Sequence, residues 1–263
     1  MKDKLSKFRL ISLSLLFVCK TAFSQVHYKL NAQYRSTPGA KNILGTVAYD
    51  GLIWGFADKQ NPLYGYYKLG LVAGGAPTVG AFIELAPIAP LVFKFQKSST
   101  YRFLKSSIFD CDQVYCYGTV DRTDASVNLG FGYQSIVGVV SYLSRDIRTP
   151  VSSKSIVLEL ENFTVTPGVQ NYKEVTLFAG YKLDEKKLLG FHYSTGEISE
   201  GLRKVNTLYG IYQWKWHWNQ QQEDQELDLT FGVGNYQTDQ DYVSGNGVLF
   251  AIGKKFGESL SLF

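Results

Sequence analysis

The sequence predicts an all-β chain, a transmembrane antiparallel β-barrel of about twelve strands, from three observations. Apolar and polar residues alternate with period two in many segments, and the connections between these segments alternate between short and long. Aromatic residues make up 15% of the chain and glycine is abundant, a composition that favours strands with tight turns. Ten or fourteen strands are the alternatives, since the apolar run at 156–160 is long enough to add a hairpin.

The alternation is clearest at residues 226–234. One face of this predicted strand carries Leu227, Leu229, Phe231 and Val233, and the other carries Glu226, Asp228 and Thr230. A soluble β-sandwich would turn the apolar face towards a core. A membrane barrel turns the same face towards lipid and the polar face towards a lumen.

The lengths of the connections favour the barrel. Strands are predicted at 26–35, 43–56, 62–73, 79–86, 91–104, 118–133, 136–147, 172–183, 188–196, 205–218, 226–236 and 246–256. Short turns at 57–61, 87–90, 134–135, 184–187 and 219–225 alternate with a mostly longer set that includes 105–117 and 148–171. Short periplasmic turns and long outer loops are typical of barrels in the bacterial outer membrane, which is the predicted location.

The polar faces predict a lumen of mixed charge. Its lining is predicted to include Lys29, Arg122, Asp124, Glu174, Lys215, His217, Glu226 and Asp228. Because both signs occur, this inventory names no solute and no ion selectivity. The sequence predicts neither a cofactor nor a metal site.

Aromatic residues near the short turns predict a girdle at the level of the lipid headgroups, where amphipathic rings are favoured. Its predicted members are Trp54, Tyr64, Tyr66, Tyr67, Tyr181, Trp214, Trp216 and Trp218.

The first 24 residues predict a signal peptide, because basic residues precede the apolar run 10–18 and Ala22-Phe23-Ser24 resembles a cleavage site. This leader holds five of the 27 basic and one of the 23 acidic residues, which leaves 22 of each in the single predicted barrel domain, residues 25–263. A neutral chain implies no nucleic-acid partner. In an exported protein the remaining cysteines, Cys111 and Cys116, predict a small disulfide-closed loop.

The carboxyl end reads Lys-Phe-Gly-Glu-Ser-Leu-Ser-Leu-Phe, with Gly257, alternating Leu260 and Leu262, and terminal Phe263. It resembles the closing signal of bacterial outer-membrane barrels, which end in an aromatic residue. The resemblance implies the barrel-assembly machinery as a partner, beside membrane lipid and lipopolysaccharide. The more amphipathic strand that ends at Phe256 is the other candidate to close the barrel.

One segment suggests chemistry. His192 and Ser194 share a strand face in Gly-Phe-His-Tyr-Ser-Thr-Gly-Glu-Ile, which resembles the His-x-Ser segment of lipid A deacylases. The resemblance implies Ser194 as nucleophile and His192 as its base. The sequence departs from that pattern at Thr195, Glu197 and Asn206, where Asn, Gly and an acidic residue are expected. A narrow pore or a surface-exposed structural barrel is therefore the predicted function, with lipid ester hydrolysis as the alternative.

Overall fold

The chain folds into a closed antiparallel barrel, as the alternation predicts. The computed structural model describes residues 25–36, 40–55, 63–74, 77–103, 117–149, 156–159, 164–167, 171–198, 203–217, 226–239 and 244–256. Twelve strands form the barrel, in the order β1-β14-β13-β12-β11-β10-β7-β6-β5-β4-β3-β2, and each pairs antiparallel with its neighbours. No helix among these residues is long and apolar enough to cross a membrane.

The strands are long enough to cross a bilayer at a tilt. Those of the barrel are β1 (Gln25–Arg35), β2 (Ala40–Trp54), β3 (Gly65–Gly74), β4 (Thr78–Ile88), β5 (Leu91–Phe103), β6 (Tyr117–Tyr133), β7 (Ile136–Arg148), β10 (Asn171–Lys182), β11 (Lys187–Ile198), β12 (Arg203–His217), β13 (Glu226–Thr238) and β14 (Gly245–Phe256). Two short strands, β8 (Ile156–Glu159) and β9 (Thr164–Pro167), pair as a separate hairpin between β7 and β10. The predicted count of twelve is confirmed, because the apolar run at 156–160 contributes to this hairpin and not to the barrel.

The barrel closes where β14 pairs with β1, from Tyr28 opposite Phe256 to Arg35 opposite Leu249. Closure leaves no edge strand, so the backbone hydrogen bonds of every barrel strand are made within the wall. Of the two closing candidates, the amphipathic strand that ends at Phe256 is the one that pairs with β1. Gly257, Leu260, Leu262 and Phe263 lie outside the described residues.

The outer surface is apolar. Many large side chains there are exposed, including Leu71 at 63% and Val233 at 66%. Phe231 and Phe250 lie on neighbouring strands of this surface, with ring centroids 5.2 Å apart. A continuous apolar exterior around a closed sheet is the architecture of a transmembrane β-barrel, since in a soluble protein such side chains would pack into a core.

The predicted girdle is correct for some aromatic residues and wrong for two. Trp54, Tyr181, Trp214 and Trp216 are exposed near the turn end of the barrel, and the Trp54 indole Nε1 donates a hydrogen bond to the Pro87 carbonyl at 2.8 Å. Tyr64 and Tyr66 are buried instead, in a cluster with Ala86, Ala89 and Val92. The reason is parity: Tyr66 and Tyr67 are adjacent, so they cannot both face lipid. Trp218 lies outside the described residues.

Candidate functional site

The candidate site is the lumen, whose two walls differ. On the wall formed by β2 to β7, register brings acidic and basic residues into neighbouring positions on successive strands: Asp50 is opposite Lys68, Lys68 opposite Glu84, Glu84 opposite Lys94 and Asp124 opposite Arg145. We call these residues the charge ladder: Asp50, Lys68, Glu84, Lys94, Asp124 and Arg145.

The ladder charges are paired. Arg145 is the tightest member, since its Nε and Nη2 donate hydrogen bonds to the two Asp124 carboxylate oxygens, each at 2.8 Å. The Glu84 carboxylate lies 3.5 Å from the Lys68 Nζ and 3.9 Å from the Lys94 Nζ. Opposite charges in this arrangement compensate one another for the loss of water around them.

The ladder is also packed. Lys68, Asp124 and Arg145 are buried, as is Asp50, whose carboxylate lies 3.5 Å from the His27 Nδ1. The Lys94 Nζ lies 4.7 Å from the centre of the Phe82 ring, a distance suited to a cation–π contact. The six ladder residues therefore form a packed set whose formal charges sum to zero.

The opposite wall, formed by β10 to β14 and β1, borders a cavity of about 1300 Å³. Among the lining residues are Lys29, Gln33, Phe178, Lys182, Gln213, Lys215, Asp228, Thr230, Gly253 and the β10–β11 turn at 183–187. Because that turn is one of the short ones, the cavity lies towards the turn end of the barrel. We call this space the vestibule.

Lysine dominates the vestibule. Five lysines line it, against three carboxylates. In the turn, the Asp184 carboxylate lies 3.2 Å from the Lys187 Nζ and accepts a hydrogen bond from the Lys186 backbone N–H at 2.8 Å. These contacts, the hydrogen bond first and then Lys187, hold the pKa of Asp184 below its ordinary value of 3.8. Asp184 is thus a carboxylate at neutral pH.

Towards the loop end, buried side chains narrow the lumen. Tyr209 and Tyr236 are buried there, and the Arg35 guanidinium lies 5.6 Å from the centre of the Tyr236 ring. His192 is opposite Tyr209 in the register of β11 and β12, and we call Arg35, His192, Tyr209 and Tyr236 the loop-side cluster.

His192 and Ser194 lie on the inner wall of β11, next to the loop-side cluster. The Ser194 Oγ is 2.7 Å from the Thr207 Oγ1 on β12, and both side chains are buried. Phe191 and Tyr193 occupy the outer face of the same strand. The hydroxyl of Ser194 thus has Thr207 as a hydrogen-bonding partner.

The structure places most of the predicted lumen residues on the inner wall. Lys29, Lys215 and Asp228 line the vestibule, and Arg122 and Asp124 are buried inside the barrel. Glu174 shares the inward parity of Tyr172, which is opposite Arg145. His217 and Glu226 pair with each other in β12 and β13, but their side chains lie outside the described residues, as do Cys111 and Cys116.

Sequence reasoning missed most of the ladder, although a signal was present. Lys68, Glu84 and Lys94 are each single charges between two large apolar neighbours, as in Ile83-Glu84-Leu85 and Phe93-Lys94-Phe95. In a strand with one face towards lipid, such a charge has to point into the lumen.

No protein-family model matches the chain, and no curated protein does. Among solved structures, it is similar to the NanC porin (9% identity, TM-score 0.44, 88% of this chain and 100% of that one). It is also similar to the KdgM porin in complex with disordered oligogalacturonate (6%, 0.41, 89% and 99%) and to an anion-selective porin from Comamonas acidovorans (8%, 0.40, 89% and 99%). Similarity at this level identifies no solute. The geometry of the chain itself establishes a transmembrane antiparallel β-barrel of twelve strands.

Proposed function

We propose that the protein is a narrow, water-filled pore of the bacterial outer membrane that admits small hydrophilic solutes. The observation that carries the proposal is the polar vestibule of about 1300 Å³ inside a closed barrel whose exterior is apolar. Barrels of eight strands are generally filled by side chains, and barrels of sixteen leave a wide channel. Twelve strands give a lumen between these limits.

The interior supports a pore of restricted width. One wall is packed by the charge ladder, so the open space lies against the other wall, where lysine, glutamine and threonine side chains face the cavity. The loop-side cluster narrows the far end. A solute that follows this route stays in contact with polar side chains. These side chains can replace the water molecules of its hydration shell one after another.

Single-channel recording tests the proposal. The purified full chain, inserted into a planar bilayer in 1 M KCl, is expected to give discrete conductance steps that are smaller than those of a sixteen-stranded porin recorded beside it. A Thr230→Arg variant, which places a long side chain in the vestibule, is expected to reduce the step. Correctly inserted barrels that give no steps would contradict the pore and leave a surface-exposed structural barrel.

The predicted partners follow from the same placement. The exposed apolar belt with its rim of Trp54, Tyr181 and Trp214 is suited to membrane lipid and the headgroups above it, and lipopolysaccharide would surround the loop end. We further propose that residues 257–263 are read by the barrel-assembly machinery. Deletion of Phe263 alone, followed by cell fractionation, tests this, because failed assembly leaves the chain in the periplasm.

Lipid ester hydrolysis at Ser194 with His192 is the second candidate, and the shared inner face of the two residues is the observation that favours it. The acyl chains of a membrane lipid lie outside the barrel, however, and Ser194 is buried inside it. A Ser194→Ala variant is expected to leave the acylation of lipopolysaccharide unchanged when lipid A is analysed by mass spectrometry. Restored acyl chains in the variant would support the hydrolase.

A further inference from the structure

We propose that the vestibule selects for small anionic solutes, with Lys29 and Lys182 as the residues that set this selectivity. The inference rests on the proposed pore and adds the class of solute to it. The sequence shows only that the lumen residues carry charges of both signs. The inference follows from which of these charges the structure pairs with a neighbour of opposite sign.

The first step is the neutrality of the charge ladder. Each ladder lysine or arginine has a carboxylate beside it, with Lys68 and Lys94 sharing Glu84 and with Arg145 held by Asp124. Paired charges of opposite sign produce little field at a distance. The ladder residues therefore give a passing ion little electrostatic preference.

The second step is the charge that remains on the vestibule wall. Lys215 is directly opposite Asp228 in the register of β12 and β13, so this pair is also neutral. In the turn, Lys187 pairs with Asp184, and Lys186 is next to Glu185. Among the side chains that line the vestibule, the cations in excess are Lys29 and Lys182.

The third step is the exposure of these two amines. Lys29 and Lys182 are both exposed, on strands β1 and β10, yet their side chains border the interior cavity and not the outer surface. An anion that enters the vestibule would be attracted by these two amines, and a cation would be repelled.

The fourth step is the effect of the barrel. A narrow lumen with a wall of low dielectric constant concentrates the field of the lysines on the path of the solute, so even a small excess of charge changes the local concentration of ions. Lysine side chains that line a pore favour anions for this reason. The vestibule thus favours small anions, whether inorganic or carboxylate-bearing.

Reversal potentials in a gradient of KCl across a planar bilayer test the inference. The unaltered protein is expected to pass chloride in preference to potassium. In a Lys29→Glu/Lys182→Glu variant, the chloride-to-potassium permeability ratio is expected to fall on the order of tenfold, because four units of charge change inside a narrow space. A Lys29→Gln/Lys182→Gln variant, which is gentler on folding, is expected to give an intermediate ratio.

The matched control makes the same change in charge outside the lumen. Lys173 and Lys204 are exposed on the outer face near the loop end, each opposite Glu197. A Lys173→Glu/Lys204→Glu variant is expected to keep the original ratio. An equal fall in this control, or a ratio at or below one in the unaltered protein, would overturn the inference and leave the pore intact. A barrel without any conductance would instead contradict the pore.

Discussion

The two walls of the lumen carry similar residue types in opposite arrangements. On the ladder wall, Lys68 is buried and lies 3.5 Å from the Glu84 carboxylate. On the vestibule wall, Lys182 is exposed and borders open space. Each lysine stands between a tyrosine and a leucine in the sequence, so the local pattern is the same in both places. The difference in burial and pairing therefore comes from the residues on the neighbouring strands.

This contrast assigns the two walls different tasks. Buried pairs such as Arg145 and Asp124 hold neighbouring strands in one register, since a slip would leave each charge without its partner. Solvated lysines contribute little to stability because water satisfies them already, but their field reaches the solute. Changes in the ladder should therefore alter stability, and changes in the vestibule should alter conduction.

The largest effect is expected at Arg145. An Arg145→Met change leaves the Asp124 carboxylate buried without the bidentate partner, and removal of one member of such a pair costs about 3–5 kcal/mol of unfolding free energy. Urea unfolding of the refolded barrel in lipid vesicles, followed by tryptophan fluorescence, measures the loss. The double variant Arg145→Met/Asp124→Asn is expected to recover most of it. Equal stability of the single and double variants would contradict the role of the pair.

A smaller effect should separate two lysines directly. Lys68→Met removes an ion pair with Glu84 and is expected to cost about 1–3 kcal/mol of unfolding free energy, because the Glu84 carboxylate loses one of its two cationic partners. Lys182→Met, the matched change on the vestibule wall, is expected to stay within about 0.5 kcal/mol of the unaltered protein. The same unfolding assay compares them. If Lys182→Met proved the more destabilising, the contrast between the walls would be wrong.

The smallest effect is expected at Asp184, in the turn at the mouth of the vestibule. Its pKa is lower in the folded barrel than its ordinary value of 3.8, so its contribution to stability is present above that value and is lost as the pH falls through the lowered pKa. Asp184→Asn should flatten this part of the acid unfolding curve. At pH 7 it removes one vestibule carboxylate, so the preference for chloride should rise slightly. A fall in the preference for chloride would contradict the proposal that the charge of the vestibule is positive.

The sequence predicts a structural feature well when that feature depends only on residues close together in the chain. The faces that Asp228, Leu229 and Thr230 occupy follow from period two alone, because neighbouring residues in a strand face opposite sides wherever the strand lies. The same rule, applied at Tyr66 and Tyr67, would have kept Tyr66 out of the aromatic girdle. The error came from grouping rings by their distance from a turn without asking which face each one occupies.

The sequence by itself determined the class of the fold, twelve barrel strands, the sorting of short and long connections and the face of most strand residues, because alternation and turn composition are properties of a few neighbouring positions. Only the tertiary structure decided which charges neutralise each other. Partners such as Asp124 and Arg145 are 21 residues apart in the chain and meet through the register of two strands. The net charge that a solute meets at Lys29 and Lys182 is what remains after this pairing, so it depends on contacts that no local pattern contains.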